Sequence, residues 1–213
     1  MKNPILEAKG ISKSFGNIKA LDDVDFFLEK GIIHGLLGEN GAGKSSLMNI
    51  LSGIYIPEKG TLTINGQLIK RLNPDLASSY GIGMVHQEFR LIDSFSIKDN
   101  LTLSKSNIYQ NDFSEAFSKY SDIFALNLNA MTPVSELSVG EKQKVEIMKL
   151  IFHNSSIMLL DEPTAVLTPQ ETVQLKESLE TLSQEDEKTI VLITHKLKEI
   201  KDFTETIYVM KNG

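Results

Sequence analysis

The sequence predicts an α/β fold: a phosphate-binding core of parallel strands, an antiparallel β subdomain beside it, and an inserted α-helical segment. Three observations lead there. Gly38 to Ser45 read Gly-Glu-Asn-Gly-Ala-Gly-Lys-Ser, which fits G-x-x-x-x-G-K-[ST] between a strand-like and a helix-like stretch. Ile157-Met-Leu-Leu160 and Ile190-Val-Leu-Ile193 are short apolar runs, as expected of central strands buried on both faces. From about 94 to 150 the apolar spacing changes to a helical period.

Taken in order, residues 5–30 alternate, and Val24-Asp-Phe-Phe-Leu28 reads as a strand with Leu21 leading in. Gly31 to Leu37 reads as a buried strand and Ser45 to Leu51 as the helix behind the glycine-rich loop. Thr61-Leu-Thr-Ile64 precedes Asn65-Gly66, a hairpin signal because both turn positions need positive φ. Pro74 to Tyr80 reads as a short helix and Ile82 to Val85 as a strand. Ser96 to Leu103, Phe113 to Leu126 and Gly140 to Phe152 fit helices, with a polar loop over 104–111. Pro169 to Leu182 reads as a helix and Ile207 to Met210 as the last strand. The chain ends on Asn212-Gly213 directly after that strand, which reads as a boundary rather than a natural terminus.

Composition narrows the function classes. A chain of 213 residues with 41% hydrophobic content holds one substantial α/β domain and a small subdomain. Net charge is −6, which argues against a nucleic-acid coat or a polybasic membrane patch. Without cysteine there are no disulfides and no thiolate metal site. Pro4 and Glu7 interrupt any signal-peptide-like run, and no 18 consecutive apolar residues are present to span a bilayer.

The loop chemistry is direct. Gly38, Gly41 and Gly43 let successive N–H groups turn toward an anion, and the phosphates would sit at a helix N-terminus. Lys44 supplies a charge for the β- and γ-phosphates, and the Ser45 hydroxyl is a ligand for Mg²⁺. Asp161 closes an apolar strand at its carboxyl end, where open α/β sheets bind ligands, and suits Mg²⁺ directly or through water. Glu162 follows at the mouth of the site, able to accept a proton from an attacking water. Leu137-Ser-Val-Gly-Glu-Lys-Gln143 opens a helix. Ser138 and Glu141 read either as an ordinary cap or, with Gly140, as a second phosphate cradle.

This combination resembles the ATP-binding-cassette (ABC) ATPases over essentially all 213 residues. Leu137 to Glu141 is similar to the family signature Leu-Ser-Gly-Gly-Gln, with Val139 and Glu141 replacing Gly and Gln. Gln87 resembles the Q-loop residue, His195 the switch histidine at the γ-phosphate, and Phe15 the aromatic that stacks on adenine. Ala165 to Thr168 stands at the D-loop position without its usual terminal Asp.

The resemblance implies a P-loop NTPase (RecA-like) core over 1–87 and 153–213, including the antiparallel β subdomain, and a helical signature subdomain over 88–152. It implies ATP and Mg²⁺ as cofactors. Phe15, Gly38, Glu39, Asn40, Gly41, Ala42, Gly43, Lys44, Ser45, Ser46 and Gln87 would bind nucleotide, with Ser138 and Gly140 serving the nucleotide of a partner cassette. Ser45, Gln87 and Asp161 would hold the metal, and Glu162, His195 and Lys44 would be catalytic.

Asp161-Glu-Pro-Thr-Ala-Val-Leu-Thr-Pro-Gln-Glu171 and Gly81-Ile-Gly-Met-Val-His-Gln87 resemble the subgroup that energises simple-sugar and nucleoside importers. Its members usually carry two cassettes in one polypeptide, and this chain matches the first. The implied partners are transmembrane permease subunits, a second cassette (a second copy or a tandem domain) and, indirectly, a solute-binding protein. The implied location is peripheral, on the cytoplasmic face of the cell membrane. Phe89, Leu91 and Ile92 read either as core or as the lining of a permease groove. The alternative, an ABC ATPase acting on DNA or ribosomes, calls for a coiled coil, zinc cysteines or basic extensions, so no nucleic acid is expected. A phosphate-binding-loop kinase leaves residues 137–143 unexplained.

Overall fold

The computed structural model describes residues 4–103, 112–211 and 213. The expected polar loop over 104–111 lies outside the described residues.

The chain opens with β1 (Leu6–Phe15) and β2 (Ile18–Leu28), then β3 (Ile33–Gly38) and α1 (Lys44–Leu51). β4 (Lys59–Ile64) and β5 (Gln67–Ile69) form the expected hairpin. Asn65 and Gly66 sit at φ 50 and 76, both left-handed, which is the geometry an Asn-Gly hairpin turn requires. α2 (Pro74–Ser79) and β6 (Ile82–Val85) follow, then α3 (Ile97–Thr102), α4 (Phe113–Ile123) and α5 (Val139–Phe152). The chain finishes with β7 (Ile157–Asp161), α6 (Pro169–Gln184), β8 (Thr189–Thr194), α7 (Leu197–Phe203) and β9 (Thr206–Met210).

Two sheets result. One is antiparallel with order β2-β1-β4-β5; the other has five parallel strands with order β6-β7-β8-β3-β9. All six residues of β8 are buried, as are the first four of β7, which is why they read as unbroken apolar runs.

Alternate residues of the parallel strands feed two cores. Met158, Leu160, Ile190 and Leu192 face one side, with Phe124, Val145, Phe152 and Leu179 from the helices. Ile157, Leu159, Val191 and Ile193 face the other, with Leu47 and Met48 of α1 and Leu6, Ile11 and Phe26 of the antiparallel sheet. α1, the helix behind the glycine-rich loop, is thereby packed into the core that joins the two sheets. Leu159 is fully buried on the central strand β7. Leu159→Ala is expected to lower unfolding stability by about 2–5 kcal/mol, read by urea denaturation.

Two local outcomes differ from the sequence reading. α4 stops at Ile123 instead of reaching Leu126, because Ala125 takes φ 49. The N–H of Leu126 then donates to Ser121 O at 2.8 Å and that of Ala125 to Asp122 O at 3.1 Å, a Schellman ending built on alanine rather than glycine. α7 was not anticipated at all: it has seven residues and buries only Ile200 and Phe203, too few to reveal a period.

Candidate functional site

Four neighbouring parallel strands, β6, β7, β8 and β3, deliver the candidate residues from their carboxyl ends, where α/β sheets place ligand sites. Gln87 follows β6, Asp161 and Glu162 end β7, His195 follows β8, and the 38–45 loop follows β3. They surround an open cleft of about 490 Å³ lined by Asn40 to Ser46, Gln87, Asp161, Glu162 and His195.

The loop is shaped by backbone demands. Gly43 has φ 98, and a Cβ there would lie 2.4 Å from the Ala20 carbonyl oxygen, so any side chain would be both strained and in collision. α1 begins at the next residue, where first-turn N–H groups lack intrahelical partners, and Lys44, Ser45 and Ser46 of that turn line the cleft. Lys44 is buried, and its ammonium donates to Gly38 O at 2.6 Å and Glu39 O at 3.0 Å. The cation therefore closes the loop on itself and points its charge at the loop's centre.

Ser45 Oγ donates to Asp161 Oδ2 at 3.4 Å. Burial pushes the Asp161 carboxyl above its usual range; the Ser45 bond lowers it, Glu162 raises it and Lys44 lowers it. Two hard oxygen donors side by side suit Mg²⁺, which takes one or two protein oxygens and completes its shell with phosphate and water. Among the described residues no group of three or more His, Asp or Glu side chains could hold a metal unaided.

Glu162 has φ 51, an uncommon conformation for a non-glycine residue. Its N–H donates to Ile193 O at 3.0 Å, and its carboxylate Oε1 lies 2.6 Å from His195 Nδ1. The strained turn presents this carboxylate at the cleft while β8 holds its backbone.

Other anticipated residues lie elsewhere. Phe15 does not line the cleft; its ring meets Tyr55 edge-on at 5.2 Å, with Lys13 Nζ 5.6 Å from its centroid. Ile18, Lys19 and Ala20, at the start of β2, do line it and were not singled out from sequence. Glu39 lines an adjacent apolar cavity with Leu197 and Val209.

Ser138 and Gly140 are also outside the cleft. Ser138 caps α5: its N–H donates to Glu141 Oε2 at 2.8 Å, and the Glu141 N–H returns to Ser138 Oγ at 3.3 Å. Gly140 is a close approach, since a Cβ there would stand 2.2 Å from Glu171 Oε1. Glu171 is itself tied down, accepting the Thr168 N–H and hydroxyl at 2.8 Å each.

Leu91 packs against the helical-side core, whereas Ile92 is 37% exposed. Among the described residues no helix is long and apolar enough to cross a membrane.

Comparison with known proteins places this arrangement among relatives. The ABC transporter family profile matches residues 21–165. The nucleoside import ATP-binding protein NupA of Lactococcus lactis is 40% identical over 214 residues, 98% of this chain and 42% of that protein. The ribose import ATP-binding protein RbsA of Caldanaerobacter subterraneus is 41% identical over 216 residues, 99% of this chain and 43% of that protein. The chain thus spans less than half the length of these two relatives. A dimeric bacterial ABC transporter cassette superposes with a TM-score of 0.84 at 26% identity, covering 98% of this chain and 95% of that one.

Proposed function

This chain belongs to the ABC transporter family, and we propose that it is the ATP-binding and hydrolysing part of an importer for a nucleoside or simple sugar. The observation that carries the reading is one cleft holding Lys44, Ser45, Gln87, Asp161, Glu162 and His195. The names of the similar nucleoside and ribose import proteins supply the solute class.

In this reading the 38–45 loop and the first turn of α1 cradle the phosphates with N–H groups, and Lys44 trades its loop carbonyls for phosphate oxygens. Ser45 and Asp161 would hold Mg²⁺, with Gln87 at the edge of its shell. The ion supplies charge neutralisation at the transferring phosphoryl. Glu162 orients water and accepts its proton. His195, bonded to Glu162, fixes that carboxylate and faces the γ-phosphate position. Ile18, Lys19 and Ala20 bound the cleft from the β2 side, next to the Phe15 expected to meet the base.

Ser138 and Gly140 serve a nucleotide held mainly by a second cassette, either a second copy or another domain of a longer polypeptide. Their position outside this cleft and the dimeric cassette neighbour support that pairing. Membrane permease subunits are the proposed partners of the 88–152 segment, with Ile92 at the contact, and a solute-binding protein acts indirectly. The chain would then sit peripherally on the cytoplasmic face.

The test uses the full-length protein with its membrane partner subunits in proteoliposomes. ATP-dependent, Mg²⁺-dependent phosphate release together with uptake of labelled nucleoside or ribose is expected. No phosphate release overturns the ATPase reading, and release without uptake of either solute class overturns the importer assignment.

A further inference from the structure

We propose that Glu199 is a positioning residue that locks the Glu162–His195 pair together from behind the cleft. The inference rests on the reading of that cleft as an ATP-hydrolysing site. Glu199 lies in the first turn of α7 and does not line the cleft. Its Oε2 accepts the Thr164 hydroxyl at 2.5 Å and the Thr194 hydroxyl at 3.5 Å. Its Oε1 receives the Lys196 ammonium at 2.8 Å.

The two threonines give this carboxylate its significance. Thr164 follows Glu162 by two residues and Thr194 precedes His195 by one. Both are buried, at 3% and 1% exposure, so their hydroxyls depend on protein partners. Thr194 Oγ1 also accepts the Lys196 N–H at 3.0 Å, which directs its own proton toward Glu199. One carboxylate oxygen thereby ties the turn after β7 to the end of β8. The same turn is pinned a second time by the Glu162 N–H on Ile193 O, and the Ala165 N–H closes it on Glu162 O, both at 3.0 Å. These bonds hold Glu162 in its left-handed conformation and keep its Oε1 2.6 Å from His195 Nδ1. Without the Glu199 bridge, the turn and the strand end would keep their backbone link and the Glu162–His195 contact itself, with no side-chain tie behind them. The carboxylate and imidazole would then lose the fixed separation on which placement of the attacking water depends.

A glutamate in the first turn of a helix also interacts favourably with the helix dipole. That role would cost stability and leave turnover alone, so the two are separable. In the full-length protein, Glu199→Ala is expected to lower kcat for ATP at least about tenfold. ATP affinity, read by titration calorimetry, is expected to stay within about twofold. Thr164→Val, which exchanges the hydroxyl for a methyl at nearly constant volume, is expected to give the same split between kcat and binding. Glu199→Gln is expected to restore kcat to within about threefold of wild type, because the amide oxygen still accepts both hydroxyls. Unchanged kcat in Glu199→Ala, loss of turnover and binding in parallel, or a Gln variant as impaired as Ala would each overturn the proposal. Should Glu199→Ala fail to fold, Thr164→Val decides by the same criteria. Absence of turnover in the wild-type protein would instead refute the ATPase reading and is recognisable as such.

Discussion

ATP turnover by a Glu162→Gln variant is expected to fall by about two to four orders of magnitude, the usual contribution of a positioned general base. ATP affinity is expected to remain within about twofold of wild type. Glutamine keeps the size of the side chain and an oxygen that faces His195 Nδ1, now 2.6 Å from the carboxylate. The backbone link from Glu162 N–H to Ile193 O is untouched, so the left-handed turn persists. What disappears is basicity: the amide cannot take a proton from water. Lys44, Ser45 and the loop N–H groups, proposed to meet the phosphates, do not change. Single-turnover phosphate release and calorimetric ATP binding on the same preparation separate the two effects. Turnover within threefold of wild type would remove Glu162 from the role of base and leave His195 as the group to test.

The residues that gather at the candidate site are legible in the sequence wherever they are contiguous with a strand end. The 38–45 loop, Asp161 and Glu162 each follow a buried apolar run, and a parallel sheet necessarily brings those carboxyl ends to one edge. His195 was legible for the same reason, since β8 is buried along its whole length. Contributions arriving across space from unrelated segments were not legible. Ile18, Lys19 and Ala20 line the cleft only because the β1–β2 hairpin folds over the loop, and Ile18, at 71% exposure, carries no mark of burial in its pattern. Glu199 is similarly silent: it is one more charge in the lysine-rich stretch Lys196-Leu-Lys-Glu-Ile-Lys201, on a helix too short to show a period. Its partners are set by the tertiary approach of α7 to the turn after β7.

Residues 137–143 read either as a helix cap or as a phosphate cradle, and the geometry of a single chain accommodates both. Ser138 and Glu141 form a complete capping box, which explains their presence without any ligand. Yet Gly140 is not required by the cap. It stands instead against Glu171, whose carboxylate, held by Thr168, occupies the space a Cβ would take and would have to shift to admit one. The start of α5 therefore meets the Glu171 side chain from the first turn of α6.

Lys44→Ala is expected to weaken ATP binding by about tenfold to a hundredfold, corresponding to about 1.5–3 kcal/mol for a hydrogen bond to a charged group. The structure says why the loss falls on binding more than on folding. Lys44 Nζ spends its hydrogen bonds on Gly38 O and Glu39 O, at 2.6 and 3.0 Å, within a loop whose far side opens to solvent. Water can replace the ammonium at those carbonyls. It cannot replace a fixed positive charge where the β- and γ-phosphates would lie, so the variant meets the same anion with N–H dipoles alone. Lys44→Arg should not rescue, because the lysine is only 7% exposed and a planar guanidinium needs a wider seat than an ammonium on a straight chain. Thermal unfolding provides the cross-check. A ligand that binds the folded state raises its melting temperature in proportion to RT ln(1 + [L]/Kd). ATP should therefore raise the melting temperature of the wild-type protein clearly and that of Lys44→Ala little, while the two proteins melt within a few degrees of each other without nucleotide. Equal ATP-induced shifts would show that Lys44 is a brace for the loop and that the phosphates are bound by its backbone.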